Sequence, residues 1–213
     1  RGNVAVISIT GPLMMRPDWF EKEMGAIDYA DIIEAVESAE ASEDVEQILL
    51  YLDSPGGSVI GLPEAANRIA GCSKPTIAYT DSLMASAAYY LGCQADAVYS
   101  SPSSFVGSVG ARLTHVEQSG FLKALGIGVT TFAKGKHKGD YSPFKPLSKE
   151  EKASLQAMVD NAHADFKAAV LRARKVDAAV FESKTYAGQE AIEKGLVDGH
   201  LETLNQALAF IGG

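Results

Sequence analysis

Ser82-Leu83-Met84-Ala85-Ser86-Ala87-Ala88-Tyr89-Tyr90 sets a serine among small residues, where a loop runs into a buried helix. Upstream lies Asp53-Ser54-Pro55-Gly56-Gly57-Ser58, at the end of the apolar run Gln47–Leu52. Either piece alone is ordinary. Pro-Gly-Gly ends a strand well. Small residues around Ser86 permit tight helix packing, with the hydroxyl bonded back to a carbonyl of its own helix. Together they supply a nucleophile and a glycine turn whose backbone N–H groups can face an oxyanion. Acyl transfer needs both parts.

Outward from these segments the chain alternates between strand and helix patterns. Val4–Ile9 reads as a buried strand stopped by Gly11-Pro12, and Met14–Gly25 as a polar and aromatic loop. Asp28 caps a helix to Glu40 with Ile32, Ile33 and Val36 on one face. Strand 47–52, helix Leu62–Ala70, strand Pro75–Thr80, the Ser86 helix and a short strand Ala97–Tyr99 follow. Phe105–Gly110 is a glycine-punctuated turn. Strand-like 111–116, a helix over 119–125 and strand 129–132 come next. Lys134–Lys145 is a polar loop. Ser148-Lys149-Glu150-Glu151 is a capping-box pattern opening the longest helix, 149–174. Tyr186–Asp198 reads as a short helix, a Gly195 cap and a strand, and Leu204–Ile211 as a last helix. Repeated βα alternation predicts an α/β fold with parallel strands and helical crossovers. A single domain over 1–213 is expected. Its long helix, 149–175, packs either on that domain or on a neighbouring copy.

Composition narrows the function. The chain has 213 residues, is 46% hydrophobic and 22% charged, and carries a net charge of −8, which suits a soluble α/β domain. An acidic chain without a long basic run argues against a nucleic-acid partner. It opens at Arg1 rather than Met, the mark of a trimmed or processed piece. No run reaches the roughly 18 apolar residues that span a bilayer, and no signal-peptide pattern is visible. Cys72 and Cys93 sit in apolar stretches and read as reduced core cysteines. His115, His137, His163 and His200 show no ligand spacing, so no metal and no cofactor are expected.

A serine nucleophile requires a base. No histidine falls in an obviously suitable motif, although spacing leaves a Ser-His-Asp triad open. Lys138, in Lys134-Gly135-Lys136-His137-Lys138-Gly139-Asp140-Tyr141-Ser142-Pro143-Phe144, is the better candidate. A solvated basic loop and a phosphate-binding loop are its rivals. A lysine acts as a base only when neutral, and burial against apolar groups favours that form.

Four segments in order carry a resemblance: Asp53–Gly57, Met84–Tyr90, Val106-Gly107-Ser108-Val109-Gly110 and His137–Phe144. The chain resembles the signal peptide peptidase A family of Ser-Lys proteases, which implies a Clp protease/crotonase-like fold of repeated ββα units with a long helix after the Lys138 loop. By that resemblance Ser86 is the nucleophile, Lys138 the general base and Ser108 the residue that orients the lysine amine. Backbone N–H groups of Gly56 or Gly57 and of Ala87 form the oxyanion hole. The chain departs at Ala87-Ala88, where many relatives carry two glycines. The donors remain, with less backbone freedom.

Two branches compete. Val4–Pro12 followed by Met14-Met15-Arg16-Pro17-Asp18 is similar to the capsid assembly proteases of tailed phages, which implies scaffold and capsid proteins as substrates inside a prohead in the bacterial cytoplasm. The other branch is a membrane-associated cellular enzyme that degrades cleaved signal peptides. Either way the resemblance implies polypeptide substrates and a homo-oligomeric ring whose active site is shared between subunits. From other classes, a crotonase-type acyl-CoA enzyme and a catalytically silent assembly protein stay open. The first usually works through carboxylates, where this chain offers Ser86.

Overall fold

The computed structural model describes residues 3–211; the extreme ends of the expected 1–213 domain lie outside the described residues. It comprises two compact units, Arg1–Gly110 with Asp165–Gly213, and Ala111–Ala164.

The first unit begins with β1 (Val4–Thr10), the short β2 (Leu13–Met14), α1 (Trp19–Glu23), β3 (Ile27–Asp28) and α2 (Tyr29–Ala41). β4 (Gln47–Asp53), α3 (Leu62–Ala70), β5 (Thr76–Thr80), β6 (Leu83–Ala85), α4 (Ala87–Gly92), β7 (Ala97–Ser100) and β8 (Phe105–Gly107) follow. In the second unit lie α5 (Ser119–Ala124) and the start of α6 (Lys149–Ala173), whose last residues belong to the first unit. A 3-10 turn (Ala178–Glu182), β9 (Thr185–Ala187), α7 (Gly188–Glu193), β10 (Gly199–His200) and α8 (Leu204–Ile211) complete the chain.

Five strands form a wholly parallel sheet in the order β1-β4-β5-β7-β10. The interior strand β4, between β1 and β5, reads as continuous apolar sequence because both faces are covered. Ile48, Leu50 and Leu52 enter the main core with Ile9, Met84, Tyr89, Leu91 and Val98. Leu49 turns the other way, onto Tyr79, Ala207 and Ile211. The period-2 alternation of a strand thus feeds two cores at once. A second sheet, β6-β8-β9, holds β6 parallel to β8 and β8 antiparallel to β9. A bridge from Ser54 to Met84 joins the end of β4 to β6.

Several boundaries differ from the sequence expectation. Residues 111–116 and 129–132 form no strand. Val116 and Phe132 are exposed and these runs meet no partner strand among the described residues, so no ladder satisfies their backbone groups. The loop expected over 14–25 contains α1, capped by a reciprocal Asp18–Glu21 box. Leu83–Ala85 is a strand that its shortness concealed. The strand expected at 196–198 falls at Gly199–His200. Cys72 lies just past α3 and is half-buried, whereas Cys93 is fully buried. Burial pushes the Cys93 thiol up to about 12, so it stays protonated and inert.

Candidate active site

Within the run Met84–Cys93, Ser86 alone is not buried. It sits on the one-residue turn between β6 and α4, with φ +55° and ψ −123°. A side chain at such a φ is strained and persists only where the surroundings over-determine it. Those surroundings are explicit. Ser86 N–H donates to Gly107 O (2.8 Å), and Ser86 O accepts from Tyr90 N–H (2.9 Å). A nucleophile on a sharp strand-to-helix turn projects its hydroxyl clear of the backbone.

The glycine turn presses against this serine. Gly56 has φ +96°, and a Cβ placed on it would lie 2.6 Å from Ser86 Cβ and 2.7 Å from Ala87 N. A Cβ on Gly57 would lie 1.8 Å from Leu13 O. Gly56 is therefore glycine for space and for conformation, and Gly57 for space alone. Gly56 N–H is already spent on the fully buried Ser54 hydroxyl (3.1 Å). Among the described residues Gly57 N–H and Ala87 N–H have no acceptor. Of the two glycines named from sequence, Gly57 is therefore the freer donor. The role of Ser54 was missed, although it stands inside the quoted motif.

Ser108 joins the same cluster. β6 and β8 pair in register to Ala85↔Gly107, so Ser86 and Ser108 leave the ends of neighbouring parallel strands together. Ser108 also has φ +55°. Its N–H donates to Lys184 O (2.8 Å), and Ser183 Oγ donates to Val109 O (3.1 Å). This support from the β9 side had no signal in the sequence. Ser86, Ser108, Gly56, Gly57 and Ala87 thus meet at one end of the first unit.

Lys138 belongs to the second unit and is exposed. It lies in consecutive turns, its N–H donating to Gly135 O (3.2 Å). His137 Nδ1 stands 2.8 Å from the Asp140 carboxylate. In the first unit His200 is the sole histidine, and its Nδ1 lies 3.1 Å from Ser100 O.

The family model described as peptidase family S49 matches residues 70–210. The chain belongs to peptidase family S49. The S49 match includes Ser86, Ser108 and Lys138 and begins after the Gly56-Gly57 turn. Three relatives are informative. A chain of Methanocaldococcus jannaschii that bears a protease name is 36% identical over 78% of this chain and 55% of its own length. The head-tail preconnector protein GP5 of Enterobacteria phage P21 is 32% identical over 92% of this chain and 40% of its own. Capsid assembly protease C of Escherichia phage lambda is 30% identical, over 92% and 46%. The chain therefore spans about half, or less, of the length of these three relatives. Among solved structures, ClpP1 of Listeria monocytogenes superposes with a TM-score of 0.61 at 12% identity, covering 95% of this chain and 94% of that one. An enoyl-CoA hydratase/isomerase family member gives 0.53 at 17%, covering 100% and 72%. The fold is thus Clp protease/crotonase-like, as the motifs implied. No helix of the described residues is long and apolar enough to cross a membrane.

Proposed function

We propose that this chain is the catalytic domain of a serine endopeptidase working through a Ser86–Lys138 dyad. The observation that carries the reading is the backbone of Ser86, held at φ +55° on a strand-to-helix turn with Gly56 packed against its Cβ. Strain at a half-buried hydroxyl beside unspent N–H donors is the arrangement acyl transfer uses. Ser86 Oγ attacks the scissile carbonyl and its proton passes to the neutral amine of Lys138. Ser108 orients that amine. Gly57 and Ala87 N–H groups receive the oxyanion. Collapse breaks the C–N bond, and the lysine returns its proton to the leaving amine. Water then hydrolyses the acyl-enzyme by the same route.

The substrates we propose are scaffold and capsid proteins processed during phage head assembly, inside the prohead. Support comes from the two phage relatives, each aligned over 92% of this chain. The archaeal relative, at 36% identity, favours a cellular peptidase as the second reading. A serine-directed phosphonate should add covalent mass on Ser86, and Ser86→Ala and Lys138→Ala should each lower peptide turnover by orders of magnitude. Lys138→Arg should fail too, since a guanidinium stays protonated. Turnover near the wild-type rate in any of the three variants would refute the dyad. Cleavage of purified scaffold protein with signal peptides left intact selects the phage reading, and the reverse result selects the cellular one.

A further inference from the structure

The proposed base needs a fixed position, and the loop that carries it is thinly held. Among the described residues, 128–134 make no hydrogen bond within the second unit. The nearest strong fixed point after Lys138 is Tyr141. Its N–H donates to Glu151 Oε1 (3.0 Å) and its hydroxyl to Ser154 Oγ (2.7 Å). Tyr141 has φ +58°, a conformation a tyrosine keeps only when its surroundings hold it.

Glu151 does more than close its helix. A capping box asks its carboxylate for one bond, back to the cap residue, and Oε2 makes that bond with Ser148 N–H (2.7 Å). Oε1 is left over and is used ten residues back, on Tyr141 N–H, and on Lys145 Nζ at 2.9 Å. The side chain is 5% exposed. A carboxylate so enclosed is stable only when its oxygens are loaded with donors. One side chain therefore ties both ends of the segment Tyr141–Ser148 to the first turn of α6.

We propose that Glu151 is the positioning residue for Lys138, holding the lysine loop on the α6 terminus at the reach the reaction requires. The inference rests on Lys138 acting as the base. It goes beyond the dyad by naming what places that base, and it predicts a defect expressed only through Lys138.

The test is a double-mutant cycle on the full chain, reading kcat and KM on a peptide and on an activated peptide ester that turns over measurably without a strong base. Glu151→Ala should lower kcat by about 10–100-fold, since misplacing a catalytic group by about 1 Å has such an effect. KM should stay within about twofold, because substrate contacts are untouched. In the Lys138→Ala background, adding Glu151→Ala should change ester hydrolysis by less than about twofold, as coupled residues are non-additive. Glu151→Gln retains one acceptor oxygen and should fall between wild type and Glu151→Ala; it replaces the alanine variant if that chain does not fold. An unchanged kcat, or a loss that recurs in the Lys138→Ala background, overturns the proposal while leaving the dyad intact. Failure of both variants to fold makes Glu151 a folding residue and also overturns it. Wild-type turnover in Lys138→Ala overturns the dyad, and this proposal with it.

Discussion

At Ser86 a non-glycine residue occupies backbone space that costs of order 1–3 kcal/mol. A glycine there is free of the Cβ that creates the cost. Ser86→Gly and Ser86→Ala should both be inactive, yet the glycine chain should be the more stable by about 1 kcal/mol, against the usual order of those residues. Urea unfolding of the two variants measures this, and an alanine chain at least as stable would show that the turn is relaxed. Gly56 presents the opposite case. Gly56→Ala drives a methyl to 2.6 Å from Ser86 Cβ at φ +96°. The expected result is a destabilisation of about 2–3 kcal/mol, with peptidase activity lost because the nucleophile itself must shift. A variant that keeps both its melting temperature and its rate would mean that the glycine turn is not seated on the serine. Ser86 and Gly56 were both legible in the sequence as residue types in a pattern. That they touch was not, because the contact depends on the Ser54–Met84 bridge between strands.

Among elements, the N-terminus of α6 is one whose chemistry sequence and structure describe alike, as is the Asp28 cap of α2. Ser148 and Glu151 form the reciprocal box that the S-x-x-E spacing predicts. The Ser148 N–H bond first, then Lys145, hold the Glu151 carboxyl down from about 4.5 to about 2. A carboxylate whose folded pKa lies below its unfolded value stabilises the fold above the unfolded value, and that contribution is lost as pH falls through the folded one. The second unit should therefore loosen between about pH 4.5 and pH 2, read as hydrogen exchange at Tyr141 and Ser148. Glu151→Gln should flatten that dependence; an unchanged acid profile would mean the carboxylate carries no such load. Some helices were readable: α3 and α8 span the residues 62–70 and 204–211 expected of them. β6, β9 and β10 were not, since strands of two or three residues are defined by their partners and not by their own composition. The runs 111–116 and 129–132 show the converse. Their β-type composition survives without a ladder to join in this chain.

For the whole molecule, the proposed chemistry assigns the nucleophile to one compact unit and the base to the other. Lys138 is exposed, although a lysine that works as a neutral base needs an apolar surrounding. Near it in sequence, Phe121 (68%), Leu125 (59%) and Phe132 (94%) are also exposed, an expensive display of apolar surface for a lone chain. A second copy of this chain that covers this surface would shield the lysine and bring it a serine from the neighbour. On that view each proposed site is assembled from Ser86 of one subunit and Lys138 of the next. Mixing inactive Ser86→Ala with inactive Lys138→Ala should then restore peptidase activity, since some sites receive a wild-type serine and a wild-type lysine together. Subunit exchange must be established by native mass spectrometry before the rates are compared. Phe132→Asp should abolish both the mixed oligomer and the restored activity, because a charge at the covered surface leaves the interface unfavourable. Mixed oligomers that form and stay inactive would require Ser86 and Lys138 to react within one chain.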